Sequence, residues 1–251
     1  MTSYLSPIGT LVVAHRGLAS KGTPENTLPA FEAALRAGAT HIETDIQVSK
    51  DGVAVLFHDD DLKRIAGISK KVNELTLSEI KAIRVDGQSI PTLKEALETL
   101  PDARFNLDIK VAAAIEPTVR VIKTMRAGSR LLVSSFSHER RLKALELLAA
   151  NGVQVATSAD GTVMLSLLWS VATNNYSSFA RHCEGLDALQ IPTRYFGVYL
   201  ATDRLLAFAK RAGVQVHCWV INEPKQMLDL VARGAAGIVT DRADVAVKLL
   251  R

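Results

Sequence analysis

Amphipathic stretches of helical period recur along this chain, each ending in a glycine and passing within a few residues into a short β-branched run. The glycines are Gly38, Gly128, Gly152, Gly213 and Gly234. A glycine just past a helix end takes the left-handed conformation that closes the last turn, so each marks a helix-to-strand loop. The strands predicted after them are 41–46, 131–134, 153–157, 214–221 and 238–240. Similar runs at 11–15, 53–58 and 105–110, with a weaker one at 188–191, bring the candidates close to the number that closes a barrel. Strands alternating with helices imply parallel pairing, because a parallel neighbour is reached only through a crossover. A closed (β/α)8 barrel is expected over an open doubly wound sheet. Polar residues with chemical potential sit at the ends of many strands, early and late, whereas an open sheet gathers its site at one switch point.

One connection breaks the rhythm. Residues 45–58 leave no room for a helix, and Ser49-Lys50-Asp51-Gly52 is a turn signal between alternating segments, so a hairpin is expected. With Val48 opposite Val53, Glu43 falls opposite His58 to within one residue of register. Residues 62–92 form a polar segment with one amphipathic stretch, 76–83, and read as a small excursion at the barrel mouth.

Length and composition narrow the class. The 251 residues suit one barrel domain spanning 1–251, and 48% hydrophobic against 22% charged residues gives ample core without disorder. Cys183 and Cys218 lie far apart without metal-ligand spacing, which argues against a disulfide framework or a zinc site and for a reducing compartment. The first ten residues lack a secretory leader, and the longest apolar run, 163–172, is broken by serines and too short to span a bilayer. A cytoplasmic protein without membrane insertion is expected. The net charge of +4 is spread along the chain, and aromatic residues are only 5%, so no nucleic-acid partner is expected. A mild positive charge suits an anionic small molecule. No extended apolar loop is evident at the barrel mouth, and a homo-oligomer stays open.

Candidate chemistry gathers early. Glu43 and Asp45 share strand parity with His41 and therefore one face. Paired carboxylates facing a barrel interior need an ion or a cation, although a partly exposed strand end beside lysines is an equal reading. Asn106, Asp108 and Lys110 repeat the alternation on another strand, where an ordinary ion pair is the plainer reading. His15 and His58 each end an apolar run, at the strand end where barrels place their sites, and suit a general acid and a general base. Arg16 adds a fork for phosphate. Together these residue types supply what metal-assisted phosphodiester cleavage requires. Asp59, Asp60 and Asp61 read as loop or helix-start charges, His41, His138 and His182 as structural, and Trp219, on one face with His217, as a pocket wall or plain core.

In this order and spacing, HRG at His15, PENT at Pro24, IETD at Ile42, SKDG at Ser49 and FHD at Phe57 closely resemble the glycerophosphodiester phosphodiesterase family. NLDIK at Asn106, SSF at Ser134, CWVIN at Cys218 and the Thr240-Asp241 pair extend the likeness over nearly the whole chain. The resemblance implies a TIM barrel of the PLC-like phosphodiesterase type. It implies hydrolysis of glycerophosphodiesters to glycerol 3-phosphate and an alcohol with Mg2+, or alternatively Ca2+. Position by position it implies Glu43, Asp45 and Asp108 as metal ligands, His15 and His58 as the acid/base pair, Arg16 and Lys110 as phosphate contacts, and Trp219 as substrate lining. Residues 62–91 look like a short form of the family's insertion after the third strand. Several positions depart from the family: Asp108 stands where many members carry glutamate, Ile65-Ala66 replace a Thr-Thr pair, no proline follows Thr240-Asp241, and the 18–23 loop is about one residue longer. Rival expectations are a lysophospholipase D-like or sphingomyelinase D-like enzyme, a silent barrel binding phosphorylated metabolites, and a metal-free isomerase or synthase barrel, which leaves the acidic trio unexplained.

Overall fold

The computed structural model describes residues 3–6 and 9–251; Met1 and Thr2, part of the segment read for a leader, lie outside the described residues. Eight parallel strands form the ring: β1 (Leu11–His15), β2 (His41–Val48), β4 (Phe105–Ile109), β5 (Leu131–Ser134), β6 (Ala156–Thr157), β7 (Ala188–Pro192), β8 (Gln215–Trp219) and β9 (Gly237–Thr240). The short β3 (Ala54–Leu56) runs antiparallel beside the outer end of β2. Each barrel strand pairs with its neighbour in sequence, and β9 returns to β1 with Leu11 opposite Gly237 and Ala14 opposite Thr240. The joint between β6 and β7 is the thinnest. It rests on a single parallel bridge, Ser158 with Ala188, supported by the Asp187 carboxylate accepting the Thr157 amide at 2.9 Å. The barrel is therefore nearly closed, as the strand count and alternation imply.

Strands covered on both faces are apolar almost throughout, as parallel sheets demand. Outward-facing side chains of β1, β7, β8 and β9 pack with the helices Asp203–Ala212, Pro224–Ala232 and Ala243–Leu250, through Leu205, Met227 and Ala246 among others. Those of β2, β4 and β5 pack with Leu93–Thr99, Ile115–Thr124 and His138–Ala150. Cys183 and Cys218 are free thiols buried in the first of these layers. His41 faces inward and is fully buried, its ring bonded to Thr40 Oγ1 at 2.8 Å and the Tyr4 carbonyl at 2.7 Å. Burial holds it at about 4, so it is neutral and structural, as its position predicts.

Four of the five helix-ending glycines have a left-handed backbone, Gly38, Gly152, Gly213 and Gly234. Gly128 does not. The left-handed residue there is Arg126, at φ +50°, and Gly128 serves close packing instead: a Cβ on it would lie 2.6 Å from the Gln154 carbonyl oxygen. The hairpin forms one residue out of the expected register, with Val48 opposite Ala54 and Ile46 opposite Leu56. Ser49 causes the shift by accepting the Val53 amide on its hydroxyl at 3.0 Å and donating its own amide to the Val53 carbonyl at 2.9 Å. Continued outward, this register sets Thr44 rather than Glu43 opposite His58.

The excursion after β3 holds two small ribbons, Asp61–Leu62 with Ile68–Lys71 and Arg84–Val85 with Gln88–Ser89, around the helix Leu77–Ala82. Thr76 caps that helix in a box with Glu79, which fixes the start that the amphipathic pattern predicts. Phe57, Leu62, Val72, Ile80, Val85 and Ile90 give the excursion its own apolar cluster. The longest apolar run lies in the helix Gly161–Ala172, and no helix among the described residues is long and apolar enough to cross a membrane.

Asp160 ties two helices together. Its carboxylate caps Gly161–Ala172 through the Thr162 and Val163 amides at 3.0 and 3.1 Å, and accepts Arg141 Nε at 2.7 Å and His138 Nδ1 at 2.9 Å. Burial raises its carboxyl, but His138, the Val163 amide and Arg141 more than offset this and hold it below the usual 3.8. Removing it leaves the buried Arg141 guanidinium uncompensated. Asp160→Ala is expected to cost about 3–5 kcal/mol at pH 7 in urea unfolding. Because the folded carboxyl is the stronger acid, the difference from wild type is full above about pH 5 and shrinks as the pH falls below 3.8.

Candidate active site

The first functional segment begins where β1 ends. Arg16 and Gly17 both turn left-handed, at φ +56° and +87°. A Cβ at Gly17 would lie 2.8 Å from the Ala30 backbone, which accounts for the glycine of the HRG motif. The turn lets the Arg16 amide donate to both the carbonyl and the Oε2 of Glu43, at 2.9 and 3.1 Å. Asn26, left-handed at φ +57° and 2% exposed, locks the next loop. Its side-chain amide donates to Asp45 Oδ2 at 3.0 Å, its side-chain oxygen accepts from Thr44 at 2.7 Å, and its backbone amide donates to the Arg16 carbonyl at 3.0 Å.

Strand register brings the carboxylates together. His15 lies opposite Glu43 across β1 and β2, and Asp45 lies opposite Asp108 across β2 and β4. All three carboxylates are buried. Lys110 bridges two of them, with Nζ 2.8 Å from Asp45 and 2.6 Å from Asp108. Arg16 Nε stands 3.2 Å from Asp45 but lacks hydrogen-bond geometry, leaving a buried donor unsatisfied. Burial raises the Asp45 carboxyl, yet Lys110 and then Arg16 outweigh it and hold Asp45 low. Asp108 ends up raised, since burial exceeds what Lys110 returns. Glu43 is pushed up to about 8 by burial and then by Asp45. Three carboxyls thus share two cations, and Glu43 is the one that keeps its proton to a higher pH.

Each expected acid/base histidine has its own carboxylate. His15 Nδ1 pairs with Asp241 at 2.7 Å, while its Nε2 lies 4.0 Å from Glu43. Burial lowers the His15 imidazolium, but the Asp241 hydrogen bond and the charge of Glu43 leave it above its ordinary value. Asp241 is anchored in turn by Asn222 at 2.7 Å. His58 Nδ1 pairs with Asp59 at 2.6 Å. Asp59 also accepts Arg64 Nε at 2.6 Å, Arg64 reaches Glu25 at 2.7 Å, and Glu25 accepts Arg16 at 2.9 Å. A continuous chain of charge therefore links His58 to the phosphate-contact candidate Arg16. Trp219 ends β8 against Leu11, Val13 and Val239, edge-on to Phe136 with ring centroids 6.0 Å apart, and Lys110 Nζ lies 5.9 Å from the Phe136 ring.

His15, Arg16, Glu43, Asp45, Asp108 and Lys110 thus form one connected cluster, and His58 joins it through Asp59, Arg64 and Glu25. His58 pairs with Asp59 rather than with Glu43, in keeping with the shifted hairpin. Asp59 is no mere loop charge but the partner of His58. Sequence reading missed the supporting residues Glu25, Asn26, Arg64, Asn222 and Asp241. Glu25 and Asn26 lie within PENT, Asn222 within CWVIN and Asp241 in the Thr240-Asp241 pair, and those motifs were their only signal; Arg64 had none. Among the described residues, no three His, Cys, Asp or Glu groups are drawn together as they would be around a metal ion, and Lys110 Nζ sits between Asp45 and Asp108.

Residues 15–245 match the glycerophosphoryl diester phosphodiesterase family. The chain belongs to this family. It is 40% identical over 243 residues to a probable glycerophosphodiester phosphodiesterase 2 of Mycobacterium tuberculosis, covering 96% of this chain and 91% of that protein. A glycerophosphodiester phosphodiesterase crystal structure from Thermotoga maritima superposes with a TM-score of 0.72 at 31% identity, over 96% of this chain and 98% of that one. A phosphodiesterase from Oleispira antarctica, solved with its product sn-glycerol-3-phosphate, gives a TM-score of 0.77 at 25% identity over 98% of both chains. The barrel is that of a glycerophosphodiester phosphodiesterase. For this enzyme, Asn26 is the residue to test first. Asn26→Gly keeps the left-handed backbone and removes the amide that holds Asp45. It is expected to lower kcat/KM by about 10–100-fold, from a lost hydrogen bond to a charged group of about 1.5–3 kcal/mol, as read by steady-state kinetics.

Proposed function

We propose that the enzyme cleaves glycerophosphodiesters into glycerol 3-phosphate and an alcohol by metal-assisted acid/base catalysis with His15 and His58. The observation that carries this reading is the pairing of each imidazole, through Nδ1, with its own carboxylate, Asp241 for His15 and Asp59 for His58. That pairing fixes the tautomer and leaves Nε2 for proton transfer. The product-bound Oleispira relative supports glycerol 3-phosphate as one product by similarity.

The donor set fits a hard divalent ion. Glu43, Asp45 and Asp108 are three buried oxygen ligands, and the charge of a divalent ion would favour the ionised form of Glu43, which burial otherwise disfavours. Mg2+ is the first choice and Ca2+ the second. Holding it requires Lys110 to release one of its two aspartates. When bound, the ion supplies positive charge to polarise the phosphoryl oxygen. Arg16 and Lys110 offset the remaining phosphate charge, and the buried Arg16 Nε, 3.2 Å from Asp45, has no hydrogen bond of its own to lose. One histidine takes the proton of the attacking hydroxyl or water at Nε2, and the other gives a proton to the departing alcohol oxygen. Trp219 and Phe136 form an aromatic wall for the substrate. Two buried thiols suit a reducing compartment, and we assign the enzyme to the cytoplasm on that ground.

Turnover of a panel of glycerophosphodiesters, with and without chelator, tests the reading. His15→Ala and His58→Ala are each expected to lose about 10²–10⁴-fold in kcat, and Glu43→Ala or chelation to abolish turnover until metal is restored to wild type. Full activity in chelator sinks the metal. Full activity in either histidine variant sinks the acid/base pair.

A further inference from the structure

Beyond the catalytic cluster, one face leaves large apolar side chains uncovered. On the helix Gly161–Ala172, Leu165 is 70% and Trp169 72% exposed. After β7, Arg194–Tyr195 pairs with Val198–Tyr199 in a hairpin whose two-residue turn is Phe196-Gly197. Both turn residues are left-handed, at φ +46° and +81°. Asparagine or aspartate is the usual first residue of such a turn, and a bulky aromatic there is unfavourable. Phe196 is nevertheless there, 91% exposed. Between hairpin and helix runs an open groove of about 680 Å³, lined by Leu168, Trp169, Val198, Leu200 and Arg204.

Charge is as one-sided as hydropathy. The helix Gly161–Ala172 and the hairpin contain no aspartate or glutamate, Arg194 and Arg204 flank the apolar side chains, and the one carboxylate beside the groove, the exposed Asp203, is paired with Arg233 at 2.7 Å. The hairpin also grows from the carboxyl end of β7, where Pro192 pairs with Trp219, so it stands at the same end of the barrel as the catalytic cluster. Contiguous exposed apolar surface of this kind marks an interaction site.

We propose that this face docks the enzyme on the surface of an anionic phospholipid bilayer, with Phe196, Trp169 and Leu165 entering the headgroup boundary. A thin ribbon presenting a protruding aromatic tip suits shallow entry into an interface, where tryptophan and tyrosine also collect, better than the flat self-complementary patch a dimer needs. The flanking arginines, with Asp203 neutralised by Arg233, complement anionic headgroups. Docking is peripheral and needs no spanning segment. It would present the catalytic mouth to diesters borne by the membrane, an extension that rests on the phosphodiesterase reading whereas docking itself does not.

Co-sedimentation with vesicles of phosphatidylglycerol and phosphatidylcholine, beside vesicles of phosphatidylcholine alone, tests the proposal. Wild type is expected to bind the anionic vesicles, more weakly as salt rises, and the double variant Trp169→Ser/Phe196→Ser to bind at least about tenfold more weakly. Hydrolysis of soluble glycerophosphocholine by that variant is expected to match wild type, which shows that fold and site are intact. Failure of wild type to bind anionic vesicles, or equal binding by the variant, overturns docking. A wild-type dimer that the variant splits, seen by light scattering, also overturns it by showing that a second copy covers the face. If neither protein turns over the soluble diester while wild type alone sediments with anionic vesicles, docking stands and the catalytic reading falls.

Discussion

The site is organised around one ammonium group. Lys110 Nζ sits between Asp45 and Asp108, on two adjacent strands, and offsets charge that burial would otherwise make prohibitive. Its position follows from strand geometry, since Asp108 and Lys110 share parity on one strand and Asp45 lies directly opposite Asp108 on the next. A slip of one residue between β2 and β4 would turn the carboxylates into the apolar layer and the apolar residues into the site. Register therefore fixes the chemistry and the core together. Glu43 stands one step further along the same face without a hydrogen bond to Lys110, so burial and then the charge of Asp45 raise its carboxyl, while Lys110 and Arg16 lower that of Asp45.

Closure of the barrel brings in what the acidic strands lack. Asp241 is separated from His15 by nearly the whole chain, and the two meet because β9 lies beside β1. His58 is held from the other side, by Asp59 and Arg64, and Arg64 comes from the excursion after β3. That excursion has its own apolar cluster and is tied back through Glu25 to Arg16. The two imidazoles are thus supported by different parts of the fold, one by barrel closure and one by the inserted segment. Variation in the excursion would reach the chemistry through Arg64 without altering any barrel strand.

Much of this was legible in the sequence where the signal was local. Alternation placed Glu43 with Asp45 and Asp108 with Lys110 on common faces, and helix-ending glycines marked the strand starts. What failed were details decided by side chains folding back on the backbone. Ser49 captured the Val53 amide and moved the hairpin by one residue, and Gly128 proved to be a packing glycine because Gln154 lies against it. Asp59 could not be told from Asp60 and Asp61 by type, since only the turn after His58 decides which of them reaches Nδ1. The exposed apolar face was invisible for another reason. Trp169 and Phe196 come from separate segments, and the helix holding Trp169 is apolar enough all round that its sequence does not say which side is covered.

Three of the left-handed residues other than glycine show the conformation serving different ends. Arg16 and Asn26 hold this costly conformation, and each returns the cost in hydrogen bonds, Arg16 to Glu43 and Asn26 to Arg16, Thr44 and Asp45. Their strain is stored where the carboxylates must be held. Phe196 holds the same conformation with its ring almost wholly in solvent, set edge-on to the exposed Tyr195 at 4.6 Å. A glycine or asparagine would turn the hairpin with less strain, and no contact with the barrel compensates for the aromatic ring. An apolar tip beside arginine is what the proposed contact with a negatively charged lipid surface would receive.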